Sequence, residues 1–403
     1  MAVDPFELTD DFYQDPYTAY DRLRSRGPVH YVRFPDSSTA WLVTDYEVAK
    51  IAFTDPTISK ALKSTGARAA LAANGGGQHV QSGLFKDMMV FYDPPEHTRL
   101  RTLVNRAFGS RAVRDLAPRV TEIADSLLAA MASESNADQD LLDSYAVPLP
   151  MMVIGALLGV PPSDRDSFRE WSTILVSSEH SDDARMAAVQ EFVAYIDQLI
   201  RTKSGAPDSS LLSELIAVGE DGDRLTHPEL ISMVFLLLVA GYETAVNLVG
   251  NAVATLLADN DTRVMVRDDP SRIPALVEEV LRHRSPAGEA TFRYTTEPIA
   301  LGGIEIPAGE LIVVSMAAAG RDPRRFTDPH RVDIDRPDNH HLAFGYGIHR
   351  CVGAQLARME AIIALTRLLG EYPDLELAAG AELEWRRSLI VRGLTKLPVR
   401  LHP

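Results

Sequence analysis

Helical spacing of apolar residues recurs along this chain, and strand patterns are short and few. The periodicity predicts helices over 17–26, 45–53, 113–132, 151–158, 164–176, 183–202 and 271–284. Two runs, 29–34 and 40–44, flank the turn Asp36-Ser37-Ser38 and read as paired strands. Further short strands are expected in 299–314, cut by Gly302-Gly303 and by Pro307-Ala308-Gly309, and a final hairpin over 387–401. Periodicity fails over 58–91, which ends in no clear element and holds a glycine cluster. A loop that long is either functional or a surface insertion. The expected fold class is mainly α with smaller β sheets.

Two stretches break the pattern. The longest predicted helix, 227–259, is apolar all round in its first half, which marks it as buried. Its greasiest run, 233–240, is too short to span a bilayer. Inside it sits Ala240-Gly241-Tyr242-Glu243-Thr244. A carboxylate and an alcohol in a greasy helix cost free energy unless they find partners, and glycine costs about 1 kcal/mol relative to alanine. Such a place is either a functional site or a kink with a solvated glutamate. The second stretch is Phe344-Gly345-Tyr346-Gly347-Ile348-His349-Arg350-Cys351-Val352-Gly353, which carries the one cysteine of the chain. A helix is expected over 352–369, so Cys351 falls at a helix N-terminus, where free N–H groups favour a thiolate. A thiolate there suits a soft or borderline metal, and the competing reading is a buried free cysteine. A dinucleotide fingerprint is rejected because Arg350 stands where its third glycine belongs.

Asp93-Pro94-Pro95-Glu96 starts another helix, on which His97 and Arg101 share a face. On spacing alone that pair is an ordinary solvated face. Arg99, Arg106, Arg111 and Arg114 add a local basic patch.

The formal net charge of -16 argues against nucleic acid or an anionic membrane as the main partner. With one cysteine no internal disulfide is possible, which fits a reducing cytosol. Residues 1–17 are acidic and lack an apolar core, so neither a signal peptide nor an anchor is expected there.

The six fixed residues Phe344, Gly345, Gly347, His349, Cys351 and Gly353 resemble the haem-binding loop of the cytochrome P-450 superfamily. Four more motifs match in the order of that family: Asp-Pro-Pro-x-His-x-x-x-Arg over 93–101, Ala-Gly-x-Glu-Thr over 240–244, Glu279-x-x-Arg282, and a meander arginine for which Arg331 fits. Val332 and Gly320 depart from the residues usual in the family. The resemblance implies a single triangular fold over 1–403, with a long central helix and the cysteine loop on the proximal haem face. It implies haem b as cofactor and Cys351 as axial iron ligand. His97, Arg101, Arg293 and His349 would neutralise the propionates. Glu243 would relay protons and Thr244 would steady dioxygen and its water.

The implied reaction inserts one oxygen atom of dioxygen into a C–H bond or alkene, the other leaving as water. The resemblance is strongest to soluble bacterial members that oxidise macrolides, other polyketides, terpenoids or steroids. A bulky apolar substrate would touch 58–91, the helix before Glu243, 287–291 and 389–391. No flavin or nicotinamide segment is visible, so electrons are expected from a separate ferredoxin and its reductase. Arg99, Arg106, Arg350 and Arg358 are a candidate docking face. The implied setting is cytoplasmic, with no nucleic acid or membrane partner. A peroxide-driven peroxygenase and a non-catalytic haem sensor or recruitment module are the competing readings.

Overall fold

The computed structural model describes residues 4–74, 88–134, 138–176, 182–220 and 223–402. The long helix is continuous over His227–Ala258. It starts in a capping box, Thr226 with Glu229, and has proline in its first turn. Asp259 ends it and at once caps the next helix, Asn260–Asp268, accepting from the Thr262 N–H at 3.0 Å.

Helices Pro148–Leu158, Ile273–His283 and Ala354–Glu371 pack directly against the long helix. Leu238, Leu248, Val253, Leu276, Leu365 and Leu368 are among the residues buried between them. By length and composition His227–Ala258 is apolar enough to cross a membrane, unlike its 233–240 segment taken alone. Its packing accounts for that character: it is the core helix of the largest hydrophobic cluster.

A six-stranded sheet lies to one side, in the order Phe6–Glu7, Val29–Arg33, Thr39–Val43, Leu311–Val314, Arg293–Thr295, Ile58–Ser59. Val29–Arg33 and Thr39–Val43 pair antiparallel with Tyr31 opposite Trp41, as their alternation predicts. Ser59 lies opposite Tyr294, so Lys60 enters the site beside Arg293. A three-stranded sheet joins Glu376–Leu377, Pro398–Arg400 and Asp138–Asp140.

The region 58–91 is more regular than its sequence suggests. It contributes the strand Ile58–Ser59 and a helix, Thr65–Ala73, whose cap Ser64 accepts from the Ala67 N–H at 3.0 Å. The alanine-rich composition of that helix hides its periodicity. Its glycine cluster, 75–77, lies outside the described residues.

Candidate active site

The cysteine loop is a turn held by its glycines. Gly345 and Gly347 have φ of +70° and +74°, which other residues rarely adopt. A side chain on Gly347 would also sit 3.1 Å from the Phe53 carbonyl. The Cys351 N–H donates to the Phe344 carbonyl at 2.8 Å and closes the loop. Helix Ala354–Glu371 begins three residues beyond Cys351, with Gly353 as its cap.

This placement corrects the expectation of a readily ionised thiol. Cys351 keeps accessible surface, yet enough protein surrounds it that desolvation raises its pKa. The Gly353 N–H and the charges of Arg101, Arg350 and Arg358 pull the other way without prevailing. Loss of the proton therefore belongs with metal ligation, not with the free protein.

Beside the loop, the structure gathers the predicted basic residues. The His97 and His349 rings lie 4.1 Å apart. Arg293, in the sheet, is buried and stacks over Phe53 at 4.6 Å. Arg101, one turn from His97 on helix Glu96–Ala107, feels the charge of Cys351. Lys60 joins this group and was invisible in the sequence, because it lies where periodicity fails. It is 2% exposed, and its Nζ donates to the Thr291 hydroxyl.

Burial and mutual repulsion lower the pKa of these groups. His97 is pushed down to about 4 by desolvation, then by Arg101 and Lys60. Desolvation, then Lys60 and His97, drive His349 lower still. Lys60 falls well below its ordinary value through desolvation, then through Arg293. Asp93, which accepts from the Lys60 N–H at 3.0 Å, is the carboxylate these groups feel. His97 Nδ1 is buried and has no hydrogen-bond partner among the described residues. So much cationic capacity around one acid fits a group bearing two carboxylates, as a haem does.

Glu243 and Thr244 are both half-buried on the long helix, which passes through them unbroken. Thr244 Oγ1 donates to the Ala240 carbonyl at 2.8 Å. A side chain at Gly241 would meet only Ile154 Cδ1, at 3.6 Å. Glu243 pairs with none of the other predicted site residues. Its partner is Arg386, at 3.4 Å, from the C-terminal hairpin. Desolvation raises the Glu243 pKa, and Arg386 opposes it.

Glu279 and Arg282 form a fully buried, two-point ion pair. The third arginine is not Arg331. That residue is exposed and lends only its carbonyl, which accepts from Arg282 at 3.0 Å. Arg336 fills the place, its Nε 3.5 Å from Glu279 and its side chain 7% exposed. Arg331 matched by order along the chain, but the turn at 328–331 aims its backbone inward instead. Gly320 is also explained: a Cβ there would collide with the Arg282 carbonyl, and the Gly320 carbonyl accepts from Arg282 at 2.7 Å.

The proposed docking arginines are largely engaged inside the molecule. Arg358 grips Glu278 with two hydrogen bonds, of 2.6 and 2.8 Å, and stacks over Phe344. Arg99 pairs with Asp223 and Glu229. Arg350 is exposed, beside exposed Tyr346 and Ile348.

One thiol in a glycine turn, beside cations suited to two carboxylates, defines a haem-thiolate protein. The family described as Cytochrome P450 matches residues 166–378. Cytochrome P450 107B1 of Saccharopolyspora erythraea is 46% identical over 98% of each chain. Cytochrome P450 monooxygenase PikC of Streptomyces venezuelae is 44% identical over 99% of this chain and 94% of its own. The ligand-free structure of the P450 monooxygenase TamI superposes with a TM-score of 0.91 at 42% identity, covering 99% of this chain and 94% of that one. TamI bound to tirandamycin C gives 0.87, at the same identity and over 99% and 100%. The chain belongs to the cytochrome P450 family. It is an oxidoreductase, a haem-thiolate monooxygenase.

Proposed function

We propose that the Cys351 thiolate would hold the haem iron and that His97, Arg101, Arg293, His349 and Lys60 would hold the propionates. The carrying observation is the cluster itself: buried basic groups that repel one another, one with an unpartnered nitrogen, next to the lone thiol. The bound haem-thiolate supplies activation of dioxygen, the thiolate favouring O–O cleavage. The polypeptide orients and protonates. Glu243 would carry protons inward from solvent, and the Thr244 hydroxyl, now donating to the Ala240 carbonyl, would be the group that passes them on.

The substrate is a bulky apolar molecule of the macrolide or polyketide kind, with terpenoids and steroids as further members of the class. Similarity to PikC and TamI supports this, as do the apolar hairpin tip Leu389–Val391 and its neighbour Ala287. Electrons come from a separate ferredoxin and its reductase, in the cytoplasm, and the whole of 1–403 acts as one catalytic domain.

Two measurements test this. Reduced protein under carbon monoxide should show the red-shifted Soret band of a thiolate ligand, and Cys351→His should lose it. Thr244→Ala should divert most reducing equivalents into hydrogen peroxide. Tight coupling in that variant would remove Thr244 from the mechanism.

A further inference from the structure

A polar stripe runs down the long helix: Glu243, Asn247 and Asn251, each one turn from the last. The hairpin from Trp385 to Leu394 covers it. Asn251 Nδ2 donates to the Arg392 and Arg284 carbonyls, both at 3.0 Å. Gly393 packs so closely on Asn247 that any side chain there would collide with it.

Arg386 is fixed within this hairpin. Its backbone N–H donates to Gly393 at 2.9 Å and its Nε to the Leu394 carbonyl at 3.1 Å. Gln14 pins the neighbouring Trp385 from the far side, through bonds of 2.9 and 3.0 Å. What remains free is the end of the guanidinium, and it points at Glu243. The Arg386 side chain is 39% exposed and that of Glu243 24%. Arg386 also lines a small pocket with Gly288, Glu289, Ser388, Leu389 and Arg392. Both side chains of the pair thus keep accessible surface, the arginine more than the carboxylate.

We infer that Arg386 is the positioning residue of Glu243, and that its guanidinium, carried on the hairpin that the Asn247–Asn251 stripe holds, forms the solvent end of the proton route. This rests on the reading of Glu243 as a proton carrier. A proton taken from water at the Arg386 end protonates the carboxylate, which releases it on the Thr244 side and returns to the ionised form. Arg386 holds the carboxylate in place and offsets the burial that favours the neutral acid. Among the described residues Arg386 is the one charge acting on Glu243. Tyr242, next along the helix, feels Glu243 and also Asp143, from Leu142–Ala146.

The test is an infrared titration of the ligand-free holoenzyme, following the carboxylic C=O band that Glu243→Gln abolishes. Arg386→Gln should move the midpoint up by about one pH unit, tenfold in proton affinity. Arg386→Lys, which keeps the charge but cannot hold both Leu394 and Glu243 in one fork, should recover most of the shift. Asn251→Ala should move the midpoint the same way by less, as the hairpin drifts. In turnover, the low-pH limb of the coupling profile should follow the infrared midpoint. An unmoved midpoint in Arg386→Gln overturns the inference, as does a shift that Arg386→Lys fails to reverse, the mark of a mere hairpin staple. Full coupling in Glu243→Gln would instead remove the proton-carrier reading, leaving the titration to decide on Arg386 alone.

Discussion

Glu360 shows how far one side chain here departs from its behaviour in water. It lies buried on helix Ala354–Glu371, and burial alone pushes its pKa to about 8. A folded-state value above the unfolded one means the native protein holds a proton that the unfolded chain has lost. The contribution of Glu360 to stability is therefore fully present below its unfolded value and is lost as pH rises toward about 8. The slope is on the order of 1 kcal/mol per pH unit. Glu360→Gln should remove that slope. Thermal midpoints of the two proteins should lie close together near pH 5 and separate in favour of the variant toward pH 8. Parallel curves would mean that Glu360 keeps a polar partner after all. Cys351 follows the same rule of desolvation, which raises the pKa of its thiol.

At the scale of elements, the test case is the buried ion pair between helix Ile273–His283 and the segment 328–336. Arg336 completes it and Arg331 does not, so two neighbouring substitutions should part sharply. Arg336→Ala removes a buried charge beside the Glu279 carboxylate, and with it the bond to the Thr327 carbonyl, and should cost about 3 kcal/mol, by analogy with broken buried pairs. Arg331→Ala should be nearly neutral, since only its carbonyl takes part. Urea unfolding of both variants checks this, and equal losses would restore Arg331 to the role.

This pair also shows what the sequence could not reveal. The long helix and the cysteine loop were legible because their signals are local: periodicity in one, glycine and cysteine spacing in the other. The choice between Arg331 and Arg336 depends on how a turn aims the chain, which spacing does not encode. Lys60 escaped because its strand is two residues long and earns its place by pairing with Arg293–Thr295. Arg386 escaped because 143 positions separate it from Glu243. Helix ends such as 164–176 stood within a turn of those observed, Arg165–Val176, whereas the single helix expected over 113–132 is broken into Ser110–Asp115 and Ala117–Ser133.

Over the whole molecule, a net charge of -16 makes an exposed cation near the cysteine loop count for more. Arg350 is such a cation, set beside exposed Tyr346 and Ile348 and near Lys50, which lies over the Tyr346 ring. Arg350→Glu should slow reduction by an acidic ferredoxin severalfold and weaken its dependence on ionic strength. Arg358→Glu should act differently, by breaking the brace to Glu278 and loosening the loop, seen as a lower melting temperature. If instead Arg358→Glu changed only the salt dependence of reduction, both arginines would share the docking face.

The crowd of basic groups around Asp93 has a meaning for biogenesis. Lys60, His97, Arg101, Arg293 and His349 come from four distant parts of the chain, and their mutual repulsion opposes the strand pairing and stacking that bring them together. A newly made chain starved of porphyrin should hover half-assembled at this junction, open to proteases, until the tetrapyrrole arrives and locks sheet to helix. Cellular yield would then follow haem supply more closely than it follows messenger level.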